Sequence, residues 1–216
     1  MSVMNQTFLT DGEITKKEKT LLLVGLFAAR REERQMQYFV KLAVEAENSI
    51  VEIAELISSA IISRGIPTWL SGIEAITYAI ELVGNADVTV EEVGVSSFIS
   101  QEECISYYQS EFEVLPKWIQ YLVDYAPDTL LKYSNLRTTS LRDGAVSRLL
   151  KELLLYAINI CDAYEKGIAI HKANAIALGA DDAVLEEIKA ICIYAVGIQA
   201  IWSDEAGISH QHTSRP

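Results

Sequence analysis

Between Arg148 and Gly179 the chain reads RLLKELLLYAINICDAYEKGIAIHKANAIALG, and this stretch constrains the fold more than any other. From Leu149 to Cys161 nearly every position is apolar on all sides of a helical wheel, with Glu152 the only acid. Such a helix is buried rather than amphipathic. A second helical segment is expected from about Tyr164 to Leu178, and His171 is its only histidine. If the chain reverses between Cys161 and Tyr164, Glu152 lies nine residues before the turn and His171 seven after it. At ~1.5 Å rise per residue the two then share one level of an antiparallel helix pair. A carboxylate facing an imidazole in an apolar layer can handle a proton. The same pair also reads as a structural histidine satisfied inside a helical core.

The stretch resembles the carboxymuconolactone decarboxylase and alkylhydroperoxidase-like (AhpD-like) family. Its peroxidase branch carries a Glu, then C-x-x-C-x-x-x-H, then a short helix ending in Ala-Gly-Ala. Here KEL supplies the Glu as Glu152, and IAIHKANAIALGA supplies His171 and the Gly179–Ala180 turn, at the family's spacing without gaps. Upstream, Ala126 to Leu154 is similar to the helix pair that precedes the motif. Tyr164 and Gly167 occupy the two cysteine positions, so the peroxide-reducing dithiol is absent from them. The resemblance implies an all-α fold with Glu152 and His171 as catalytic residues. Tyr164 either offers its phenol to the vacated site as a hydrogen-bond donor or plugs it.

An amino-terminal segment matches this stretch at a constant shift of 134. Lys17–Glu18 falls on Lys151–Glu152, Leu21 on Leu155, Ala43 on Ala177, Ala46 on Ala180 and Glu52 on Glu186. The glutamate, the interhelix turn and the capped third helix stay in phase, which points to an internal duplication. AARREERQMQ also resembles the G-R-x-E-E turn of the decarboxylase branch, keeping Arg30, Glu32 and Glu33 but placing Gln37 where His belongs. Gln cannot titrate. The first copy, with Glu18, therefore reads as structural. The expected organisation is two tandem AhpD-like repeats, 1–83 and 116–216, around a helical linker at 84–115.

Local signals mark the elements. Residues 1–14 read as a flexible lead-in, and Thr15 to Arg30 as a buried helix with Glu18 at its start. Ser49 with Glu52 forms a capping box that opens a helix to about Ser63, and Pro67 sits in the first turn of the next. Thr89 and Ser100 begin further capping boxes, TVEE and SQEE. Helices are expected at Ser100–Phe112, Pro116–Tyr125, Pro127–Leu141 and Asp181–Trp202, followed by a polar tail.

A net charge of −12 disfavours nucleic acid and anionic membrane as partners, because phosphates would be repelled. Apolar runs such as Leu21 to Ala29 are too short to span a bilayer. The three cysteines, Cys104, Cys161 and Cys192, are scattered and odd in number, fitting reduced thiols. Cys161, one turn before Tyr164, has no partner nearby in sequence and reads as a packing group. The opening residues lack the apolar core of a signal peptide, so a cytoplasmic protein is expected. His210 and His212 form an isolated H-x-H, too few ligands for a metal site, and neither metal nor cofactor is expected.

The function expected first is decarboxylase-like: proton transfer on a small organic acid or lactone by Glu152 and His171. A catalytically silent oligomeric scaffold is the alternative, and alkylhydroperoxidase activity ranks third because the dithiol is missing. The resemblance implies a homotrimer, and the excess of apolar helix surface supports self-association.

Overall fold

In a computed structural model, residues 3–84, 97–112 and 114–197 are described, and every regular element among them is a helix. In chain order these are α1 (Val3–Phe8), α2 (Lys16–Arg30), α3 (Glu33–Glu45), α4 (Ile50–Ser59), α5 (Ile61–Arg64) and α6 (Ile66–Val83). There follow α7 (Gln101–Phe112), α8 (Lys117–Tyr125), α9 (Pro127–Leu141), α10 (Arg148–Cys161), α11 (Glu165–Ala177) and α12 (Asp182–Val196). The chain divides into two compact units, Met1–Val88 with Asp143–Pro216, and Thr89–Arg142. This is a division by packing, and it differs in kind from the repeat boundaries expected at 83 and 116.

The larger unit is built around α2 and α10. Every residue of α2 from Lys19 to Ala29 is buried, and so is every residue of α10 from Leu150 to Ile160. The apolar runs dictate this, since each fully buried Leu contributes about 2 kcal/mol. The two helices approach closely at Gly25, where an added Cβ would press on the Leu154 side chain. α3, α4 and α6 pack around α2, while α11 and α12 pack around α10. The smaller unit has its own core of Cys104, Tyr108, Ile119 and Leu130.

The polar details of the larger unit recur at a spacing of 132 residues. Thr15 caps α2 and Ser147 caps α10, each hydroxyl accepting from the backbone N–H three residues on. The Asp11 carboxylate accepts from Lys16 N, and the Asp143 carboxylate from Arg148 N, both at 2.7 Å. A left-handed residue follows each helix, Arg31 at φ 59° directly after α2 and Ala163 at φ 54° two residues after α10. The next N–H then bonds back to the chain, Glu32 to Phe27 O and Tyr164 to Asn159 O, at 3.0 Å in each case.

The turns before α2 and α10 are held crosswise. Glu187 of α12 accepts from Ile14 N at 2.7 Å and pairs with Lys19 at 3.2 Å. Glu55 of α4 accepts from Ala145 N at 2.9 Å and pairs with Lys151 at 2.6 Å. Glu55 and Glu187 stand at the same 132-residue spacing, not at the 134 read from the sequence. At 132, Thr20 corresponds to Glu152 and Phe39 to His171. Gln37 is exposed, and Glu18 closes the Thr15 capping box.

Other expectations shift locally. The lead-in contains α1, and Leu9 and Ile14 beyond it are buried. The helix from Ser49 breaks at Ala60, where α5 begins, before reaching Ser63. At Ser100 the hydroxyl accepts from Glu103 N, but the Glu103 carboxylate returns to Ile99 N rather than to the cap. The Thr89 box, Trp202 and the tail histidines lie outside the described residues.

Candidate functional site

Glu152 is fully buried on α10, and His171 on α11 is 8% exposed. The left-handed turn at Ala163 folds α11 back along α10, and the His171 Nδ1 comes to 2.7 Å from the Glu152 Oε2. Asn174, one turn beyond His171, donates from Nδ2 to the other carboxylate oxygen at 3.1 Å. Both oxygens of Glu152 are thus engaged, which holds the carboxylate plane and the imidazole together. A neutral imidazole that donates from Nδ1 to a carboxylate keeps its Nε2 lone pair as a base. At 2.7 Å no substrate fits between the two groups, so any substrate must meet the imidazole at Nε2.

Asn174 escaped the sequence reading. Its spacing of three from His171 puts it on the same helix face, and that was the available signal. Tyr164, by contrast, is not brought to the pair. It stands at the N-cap of α11, two turns and ~10 Å along the axis from His171, and is half exposed.

The position expected to be vacated is filled. Asn159 is buried, donates to Leu155 O at 2.6 Å, and lays its amide oxygen over the Cα of Gly167. The Tyr164 ring covers the same spot, and a Cβ on residue 167 would meet both side chains. At the 132-residue spacing, Asn159 and His171 correspond to Phe27 and Phe39, which stack with ring centres 5.4 Å apart.

Cys161 has a partner that sequence distance concealed. Cys192 of α12 lies within hydrogen-bonding reach of the Cys161 sulfur, and the Cys192 thiol donates to Ala157 O at 3.6 Å. The contact with Cys192 holds the Cys161 thiol below its ordinary pKa against the opposing effect of burial, with Arg30 and Arg64 adding to the lowering. Among the described residues no three His, Cys, Asp or Glu side chains gather as metal ligands, and no helix is long and apolar enough to cross a membrane.

No family model and no curated protein matches the sequence. In fold the chain is similar to a solved structure, a "putative gamma-carboxymuconolactone decarboxylase subunit" from Burkholderia xenovorans LB400. The likeness covers 94% of this chain and 81% of that one, with a TM-score of 0.62 and 16% identity. The protein has that neighbour's all-α fold. At this identity the likeness concerns the fold, and the chemistry must be argued from the side chains.

Proposed function

We propose that the protein transfers a proton on a small organic acid or lactone, in the manner of a carboxymuconolactone decarboxylase, with His171 as the transferring group. Glu152 orients the imidazole, and Asn174 positions Glu152. Tyr164 is left out of this site. The observation that carries the reading is the buried Asn174–Glu152–His171 chain, with Nε2 the ring nitrogen left over. A linked part of the proposal is that the larger unit consists of two tandem copies, of which the second keeps the proton chemistry. The recurrence of caps, turns and crossed glutamates at 132 residues supports it.

The test is turnover across a panel of unsaturated lactones and β-keto or vinylogous carboxylates, followed by loss of carbon dioxide or proton exchange at carbon. Glu152→Gln and His171→Gln are expected to lower kcat by at least ~100-fold, the range for losing a positioned proton donor or its orienter. Asn174→Ala should lower it less. The scaffold reading is favoured by the closed contact between Glu152 and His171. It expects all three variants to assemble normally and the panel to be inert, and that result would remove the enzyme proposal.

A further inference from the structure

A cleft opens at the carboxyl ends of α2 and α10, where they meet the α5–α6 junction. A half-open cleft of about 380 Å³ is lined there by Arg30, Arg31, Ser63, Arg64, Thr68 and Asp162. Three guanidiniums converge in a chain of net charge −12. Burial, and then the nearby charges of Arg30 and Arg31, hold Arg64 below its ordinary pKa, so the three groups are close enough to repel one another.

The local acids do not balance them. Arg30 pairs with Glu32 at 2.8 Å, and Arg64 pairs with Asp162. Arg31, held left-handed and exposed at the end of α2, has no acidic partner among the described residues. One positive charge is therefore left over. The Thr68 hydroxyl is an independent sign of a missing ligand: the residue is 1% exposed and its Oγ1 has no hydrogen-bond partner. Buried hydroxyls are otherwise almost always satisfied. Thr68 lies in the first turn of α6, whose positive dipole end also favours an anion.

We propose that this cleft binds a small organic oxoanion, a carboxylate or phosphate ester, gripped by Arg31 and Arg64 and by the Thr68 hydroxyl. The guanidinium fork matches either oxoanion. The cleft's volume calls for an organic body, since a water-sized species occupies only about 30 Å³. None of these residues belongs to the Glu152–His171 pair, so the site stands whether or not that pair is catalytic.

The experiment is calorimetric titration of the full chain at low salt with benzoate, citrate, glycerol 3-phosphate and inorganic phosphate, repeated with Arg31→Gln and Thr68→Val. At least one organic anion should bind saturably and raise the melting temperature. Arg31→Gln should weaken it roughly tenfold, the loss expected for a charge-assisted hydrogen bond, with the fold intact. Thr68→Val should weaken it less. Benzoate or citrate against glycerol 3-phosphate separates carboxylate from phosphate ester. Inorganic phosphate binding as tightly as every organic probe would overturn the organic assignment. No saturable binding by any probe, with Arg31→Gln lowering the melting temperature, would overturn the site altogether. The arginines would then serve only the helix carboxyl ends.

Discussion

Position 167 has no room for a side chain, because the Asn159 amide and the Tyr164 ring already fill the volume above its Cα. Gly167→Ala is therefore expected to destabilise the protein by about 1–3 kcal/mol, the usual cost of overpacking. Asn159→Ala should recover part of that loss in a double-mutant cycle of thermal melts; strict additivity would contradict the packing argument. Cys161 allows a pH prediction at the same scale. The thiolate is the form that reacts, and the Cys161 thiol is held below its ordinary value. Its alkylation rate should thus rise with pH around a midpoint below that of an ordinary cysteine thiol. Cys192→Ala removes the largest cause and should move that midpoint up. Hydroperoxide turnover is not expected from Tyr164 and Gly167, and a robust rate lost in Cys161→Ser would instead assign it to the Cys161–Cys192 pair. Glu152 and His171 were legible because two helices joined by a tight turn convert sequence distance into axial level. Asn159 and Cys192 were not, since each acquires its role from a neighbour that only packing supplies, and Asn174 was signalled only by its spacing from His171.

Capped helices were the elements most readable from sequence. Ser49 announces α4 through local hydrogen bonds, independent of the rest of the chain, and the Thr15–Glu18 box seen at the start of α2 is of the same kind. The break between α4 and α5 at Ala60 carries no Gly or Pro, so no residue signals it. The turns before α2 and α10 were hidden for another reason: their partners, Glu187 and Glu55, lie 173 and 90 positions away. Lys19 and Lys151 are both buried and depend on those carboxylates for their counter-charge. Glu55→Ala and Glu187→Ala should each cost about 2–4 kcal/mol, because truncating one partner removes a carboxylate paired with a buried ammonium. Chemical denaturation midpoints check this, and Glu55→Ala with Lys151→Met should be milder than Glu55→Ala alone.

On the scale of the whole molecule, α6 is built inside out for a lone chain. It faces its unit with Thr68, Gly72, Ala75 and Ala79, small residues that let α6 lie close to the helices beneath. The opposite face carries Ile66, Leu70 and Ile73, which are 57%, 59% and 43% exposed. Spacings of four and three place these side chains on one stripe. A soluble monomer seldom displays such a stripe, whereas burying three of these residues recovers about 1–2 kcal/mol each per chain. We therefore expect self-association through α6, with a homotrimer as the assembly that the family resemblance implies. Light scattering at micromolar concentration checks the state. The double variant Leu70→Glu, Ile73→Glu should shift it to monomer while circular dichroism stays helical, because neither residue serves the core. A monomeric parent protein would sink the expectation. A dimer would keep the argument from the α6 stripe and discard the trimer, since burying the stripe requires a partner but does not dictate how many chains close the ring.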